Sequence, residues 1–425
     1  MDEEVAAETR KDTEVAPALI AVHPDRHSAV VAVGPELRAF DLLTISAVSL
    51  LDDSVSGEQP SHKDNIRAIR FGAKGKLFVS AGDDKTLKIW STQSWQCVST
   101  VSSEKRVTAV AISNDGLHVC FADKFGLVWV VDLNQTSKDK KPTPTPLLSH
   151  YCSIITSLEF SPDNRFIISA DRDFKIRVTN FPKNLLNGAH EIQSFCLGHT
   201  EFVSCLAFVP AQESPHSLLL SGSGDSTVRL WDISSGALLD TCEVAIKAGL
   251  LESNGNAEEH DHAVTDLCST LDGLLVAVAI QSLRGIVLLS CDVSTKTLSF
   301  AKVVSIAGET FIPTCLANCS PTKELWMVTG VSSLPGYDYP SLARVLVISG
   351  IDVEEEPVVL EDDKIPGGEK LLETLQGTTS VDDNAFLAAA EAVKAAMCNL
   401  LIKKHYPFEN REYRKKTRND KKLKE

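Results

Sequence analysis

The 425-residue chain carries 42 Lys and Arg against 57 Asp and Glu, a net charge of −15, and 43% of its residues are hydrophobic. That composition suffices for a large buried core, and the length allows either two or three ordinary domains or one large repeat fold. The acidic balance excludes a chain that coats nucleic acid over its whole surface, and the longest charge-free runs, such as 273–282, fall far short of the roughly 20 apolar residues of a membrane helix.

The opening Met1-Asp2-Glu3-Glu4 is acidic and lacks the apolar run of a secretory signal, so no export is expected, and residues 1–15 are expected to be disordered. Short apolar runs bounded by turn residues then read as strands, at 19–23, 28–33 and 37–41. The next stretch carries four polar landmarks. His62 is followed by Ser80, Asp84 and Trp90, the last three within Ser-Ala-Gly-Asp-Asp-Lys-Thr-Leu-Lys-Ile-Trp. Strand patterns at 107–112, 118–122 and 127–131 precede a second set, His150, Ser169, Asp173 and Thr179. A third set, His199, Ser221, Asp225 and Trp231, lies along Ser-Gly-Ser-Gly-Asp-Ser-Thr-Val-Arg-Leu-Trp-Asp. In all three, Ser and Asp are four residues apart and the last landmark follows six later, with Thr179 standing where the others have Trp.

Recurrence at fixed spacing marks a repeat fold. Its physical content is a hydrogen-bonded chain from the Trp N–H through Ser and His to a turn Asp, because buried polar groups are tolerable only when each finds a partner. Gly198-His199 and Trp231-Asp232 resemble the WD-repeat signature, which implies four-stranded propeller blades of about 40–45 residues. Strands at 264–268, 274–279 and 285–290, and at 314–318, 325–329 and 343–348, complete the series. The expected architecture is all-β, a seven-bladed propeller over residues 16–350.

Three longer stretches, 134–146, 236–261 and 351–383, read as exposed connectors, the last an acidic linker. Beyond it, 384–402 is Ala-rich, with Phe386, Ala390, Val393, Met397, Leu400 and Leu401 at helical spacing. Such an amphipathic helix either packs on the propeller rim or binds a partner. The rest of the 384–425 segment is basic: residues 403–425 carry ten Lys and Arg against four acids, a net of +6, which leaves −21 on the remainder. Lys403, Lys404, Arg411, Arg414, Lys415 and Lys416 lie among Tyr406, Phe408 and Tyr413. A flexible basic segment with aromatics suits phosphates and bases, while the alternative is a nuclear-import signal or a solvated tail.

Motifs of catalysis are missing: there is no phosphate loop, no His-Glu-x-x-His and no Gly-x-Ser-x-Gly. Gly222-Ser223-Gly224 reads as a blade turn, and His260-Asp261-His262 stands where a blade His is expected rather than as a metal site. Eleven scattered cysteines without a Cys-x-x-Cys pair point to buried reduced thiols in an intracellular protein. No catalytic residue, metal or cofactor is expected in this chain.

The run Ser-Ala-Asp-Arg-Asp-Phe-Lys-Ile-Arg-Val from Ser169 to Val178, then Phe181-Pro182, then Ile-Gln-Ser-Phe-Cys-Leu-Gly-His-Thr-Glu-Phe-Val from Ile192, resembles the WD-repeat non-catalytic subunit of the tRNA (guanine-N7)-methyltransferase. The resemblance implies a heterodimer with a catalytic subunit that holds S-adenosylmethionine and forms 7-methylguanosine in tRNA, with a nuclear location. It also implies that Arg172, Asp173, Lys175 and Arg177 face that partner, and that the basic tail is a candidate tRNA contact. Comparison among the repeats separates these four. Arg177 aligns with Lys88 and Arg229, and Asp173 with the turn residues Asp84 and Asp225, whereas Lys175 and Arg172 depart from the local template. The alternative is a generic WD-repeat scaffold, such as a ubiquitin-ligase receptor or a ribosome-assembly factor. Ser234 after Trp231-Asp232-Ile233 departs from the Trp-Asp-x-Arg common in ligase receptors.

Overall fold

The computed structural model describes residues 15–402 apart from 53–60, 136–141, 151–152, 211–217, 252–261, 271, 307–309, 320–321, 335–340, 354–355 and 378–382. Seven four-stranded antiparallel sheets, each built from consecutive strands, form blades 1 to 7 over residues 19–48, 66–102, 107–149, 155–197, 203–243, 264–305 and 315–359. The innermost strands of successive blades pack against one another around a central channel.

The local chemistry of each blade follows its sequence. Second strands such as Ser28–Val33, Phe166–Asp171 and Leu275–Ile280 are buried along their whole length, so they read as continuous apolar runs. Third strands in blades 1, 3, 5 and 6 end on Asp41, Asp132, Asp232 and Asp292. Each carboxylate accepts the backbone N–H two residues on, at 2.8–2.9 Å, and turns the chain toward the outer strand. Trp90, Trp231 and Trp326 are fully buried between blades.

Two devices close the ring. Residues 16–18 hydrogen-bond to blade 7, with Ala18 N–H donating to the Gly330 carbonyl and Ser332 N–H to that of Ala16. A short α1 (Val244–Lys247) lies elsewhere, after blade 5, but α2 (Gly368–Gln376) clasps the seam. Its Leu371, Leu372 and Leu375 are buried with Phe40 of blade 1 and Val345 and Val347 of blade 7. Arg38 Nη1 caps its last turn through the Gln376 carbonyl at 2.7 Å, while Val345 N–H donates to Gln376 Oε1 at 2.6 Å.

These observations correct the expected boundaries. The acidic linker over 351–383 contains the outer strand of blade 7, Val358–Val359, as well as α2. Likewise Thr145–Ser149 and Ala237–Glu243, set in or beside the expected connectors, are the outer strands of blades 3 and 5. Of the start expected to be disordered, 1–15, residues 1–14 lie outside the described residues, while Val15 packs against blade 7 and the C-terminal helix.

Candidate functional site

The two Trp-bearing sets of landmarks come together as hydrogen-bonded chains. In blade 2, Trp90 Nε1 donates to Ser80 Oγ at 3.0 Å, Ser80 meets His62 Nε2 at 2.8 Å, and His62 Nδ1 meets Asp84 Oδ2 at 2.8 Å. Blade 5 repeats this with Trp231, Ser221, His199 and Asp225 at 2.8, 2.7 and 2.9 Å. Burial pushes the Asp84 carboxyl up, but the His62 contact, Thr86 and the Lys63 N–H outweigh it and hold it at about 2. Asp225 is likewise held at about 2 by His199, Thr227 and the Thr200 N–H.

Blade 4 is built differently, and here the reading of Asp173 as the turn aspartate is corrected. Asp171, two residues earlier, takes His150 Nδ1 at 2.8 Å, while His150 Nε2 meets Ser169 Oγ at 2.7 Å. The other oxygen of Asp171 accepts the N–H groups of Asp173 and Lys175, so one buried carboxylate anchors both the His and the turn. Asp171 has this reach because it ends the second strand, where blades 2 and 5 have Gly82 and Ser223. Blade 3 uses the same device: Asp123 accepts from Phe125 and Leu127 N–H and from the Trp129 indole. At the far end of blade 4 Thr179 replaces Trp, and its buried hydroxyl has no hydrogen-bond partner among the described residues.

With the turn held from within, its other residues point elsewhere. Lys175 is exposed at the start of the third strand. Arg177 is half-buried, and Nη1 donates to the Ser149 carbonyl at 3.1 Å while Nε is buried without an acceptor among the described residues. Burial pulls the Arg177 guanidinium down, partly offset by Asp171. In the sheet register Lys175 pairs with Leu197 and Arg177 with Phe195 of the outer strand Ile192–Leu197. Leu197 is 60% and Phe195 43% exposed, so two cations lie beside an uncovered apolar strip. Phe174 sits in left-handed backbone at φ 69°, where blade 3 has Gly126. This strip was missed as a contact surface; its signal is the alternation Phe195-Cys196-Leu197, which turns Cys196 inward and the larger residues outward.

Arg172 goes inward. Its Nη1 lies 3.4 Å from the Leu400 carbonyl and its Nε 4.0 Å from Asp173. Leu400 belongs to the last turn of α3 (Asp383–Leu401), where a cation offsets the negative end of the helix dipole. The helix starts with Ala385, Phe386 and Ala389 against Val331, Leu334 and Leu342 of blade 7. It ends with Leu401 against Phe202 and Ala263, at the entries to blades 5 and 6. It thus packs on the upper face, the one bearing the loops into the inner strands and the turns between second and third strands. The tail residues Lys403, Lys404, Arg411, Arg414, Lys415 and Lys416 lie outside the described residues.

Beneath α3 the channel has a volume of about 560 Å³. It holds the Arg70–Glu159 ion pair and Asp266, whose carboxyl burial pushes up although it accepts the N–H groups of Leu316 and Leu267. Burial also raises the nearby Cys205, Cys268 and Cys315 thiols, which makes them poor nucleophiles. Among the described residues no three of His, Cys, Asp and Glu are arranged to hold a metal ion.

The fold is shared with solved WD-repeat structures, for example U3-55K at a TM-score of 0.58 and 18% identity, over 74% of this chain and 88% of that one. The family model for the tRNA methyltransferase TRM82 WD40 domain matches residues 49–152 and 134–329. The tRNA (guanine-N(7)-)-methyltransferase non-catalytic subunit wdr4 of Xenopus laevis is 33% identical over 289 residues, covering 67% of this chain and 68% of the relative. Human WDR4, of the same description, is 39% identical over 180 residues, 42% of this chain and 40% of its own length. With its seven blades and these matches, the chain belongs to the family of WD-repeat non-catalytic subunits of the tRNA (guanine-N7)-methyltransferase.

Proposed function

We propose that the chain holds a catalytic methyltransferase subunit in a heterodimer through the outer edge of blade 4, leaving S-adenosylmethionine and methyl transfer to guanine N7 of tRNA to that partner. The observation that carries this is the pairing of Lys175 and Arg177 with Leu197 and Phe195: an exposed apolar strip flanked by two cations. Acids on the partner would satisfy Arg177 and steer the encounter, while the apolar strip supplies buried area. Basic residues 403–425 extend the same reading, as tRNA contacts or as the signal that takes the complex to the nucleus.

Removing one member of a desolvated charge pair costs about 2–5 kcal/mol, because its partner stays buried and unpaired. Lys175→Glu and Arg177→Glu are therefore expected to release the methyltransferase on co-purification while the propeller keeps its thermal transition. Retention of the partner by both variants would remove this edge from the interface.

A further inference from the structure

We infer that the cavity between α3 and the upper mouth of the channel is a binding site for a small aromatic carboxylate, held with its ring under the helix and its carboxylate against Arg106 and Lys124. The site is apart from the proposed docking edge and needs no partner subunit.

The two halves of α3 are packed differently. In the first half Ala385, Phe386 and Ala389 are buried against Val331, Leu334 and Leu342 of blade 7. In the second half Met397 and Leu400 are half-buried, and with Val393 and Ala396 they roof a cavity of about 170 Å³ over Ile154 and Ile155. An apolar cavity of roughly 150 Å³ holds one benzene ring, so the space fits a single aromatic ring. Left empty, its walls forfeit dispersion contacts that such a ring restores.

The charges around the cavity select the ring's substituent. Three cations, Arg67, Arg106 and Lys124, line it against one acid, Asp83. Asp83 is engaged by Arg67 at 2.7 Å and by Arg106 at 3.7 Å, while the half-buried Lys124 ammonium has no acid or other acceptor among the described residues. The negative end of the α3 dipole, which would repel an anion, is met by Arg172. The lining therefore has positive charge to spare and suits a carboxylate.

A second polar anchor breaks a series. Thr108 Oγ1, Thr156 Oγ1 and Ser204 Oγ each donate to a carbonyl of the next blade, those of Ile155, Val203 and Val264. Thr265 comes next in the series and also lines the cavity, but its buried hydroxyl has no partner among the described residues. A hydroxyl on the ligand's ring satisfies it, so the best fit is a ring that bears both a hydroxyl and a carboxylate.

The test titrates the full chain calorimetrically with three probes of one shape and different charge: 4-hydroxyphenylacetate, 4-ethylphenol and tyramine. They are expected to bind in that order, with the anion about tenfold or more tighter than tyramine, and Lys124→Met is expected to remove most of that preference. Thr265→Val is expected to bring 4-hydroxyphenylacetate down to the affinity of phenylacetate and to leave phenylacetate unchanged. Met397→Trp and Ala396→Leu, which fill the cavity from its roof, are expected to abolish binding of every probe while the thermal transition is kept. Absence of saturable binding by the parent chain, tyramine binding as tightly as the anion, or binding that survives both filled variants would overturn the inference. Loss of 4-hydroxyphenylacetate binding when a catalytic methyltransferase subunit is added would overturn it too, giving the cavity to a segment of that protein.

Discussion

Blades 2 and 5 and blade 4 begin from the same landmarks and end with different surfaces. In blades 2 and 5 the chain Trp–Ser–His–Asp runs from the buried indole to the turn, and the turn Asp is consumed by it. Blade 4 moves its Asp two residues inward to 171 and drops the Trp, so the turn and third strand present Phe174, Lys175 and Arg177 without losing their anchor. A repeat can be specialised by relocating one carboxylate while its backbone stays the same.

The largest expected break in that comparison comes at the last landmark. Trp231→Ala should cost about 3–5 kcal/mol through the cavity and the stranded Ser221, whereas Thr179→Val should be neutral or stabilising, since the Thr179 hydroxyl gains nothing from burial. Chemical denaturation checks both; an equally large loss at Thr179 would show that blade 4 keeps a hidden bond there. Next comes the relocated carboxylate. Asp171→Asn should cost about 1.5–3 kcal/mol, the value of a hydrogen bond to a charged group, and Asp173→Asn clearly less, with the reverse order restoring Asp173 as the anchor.

The smallest effect is on pH dependence. The carboxyls of Asp84 and Asp225 are depressed to about 2 in the folded chain. Their contribution is complete above the ordinary carboxylate range and is lost as pH falls from about 4 toward 2. His150 is also lowered, which for a base disfavours the charged form: burial, with Arg177 and Lys175 nearby, outweighs Asp171. Stability from neutral His150 is present above its ordinary 6.5 and declines as pH falls below that. Hydrogen exchange should show blade 4 loosening at mildly acidic pH, where the Asp84 and Asp225 contributions are still intact; loosening of blade 4 only below pH 4 would contradict this.

The inner three strands of blades 1, 3, 6 and 7 were legible as short apolar runs between turn residues, the second of each the clearest because it is buried along its whole length, as in Ser28–Val33 and Leu275–Ile280, while blades 2, 4 and 5 were legible through their polar landmarks. Outer strands were not. Thr145–Ser149 and Ala237–Glu243 face solvent on one side, and their polar residues read as connectors. The helix α2 hid in an acidic segment because it is nine residues long and flanked by Gly367 and Gly377. Asp173 was misplaced by a coincidence of spacing, since it lies four residues after Ser169 as Asp84 does after Ser80. The corrective signal was Asp171 itself, in the register that Asp123 occupies in blade 3. The inward course of Arg172 had no signal in the sequence, because it depends on where α3 ends.

The central claim is that blade 4 holds the catalytic subunit through its cations. The most direct measurement is a charge-swap cycle on the chain co-purified with a catalytic methyltransferase subunit, pairing Arg177→Glu with Lys substitutions at that subunit's acids. The account predicts that Arg177→Glu abolishes retention and that one swapped partner restores it along with 7-methylguanosine formation. Retention by Arg177→Glu, or a swap that never restores more than the single variant, would contradict it.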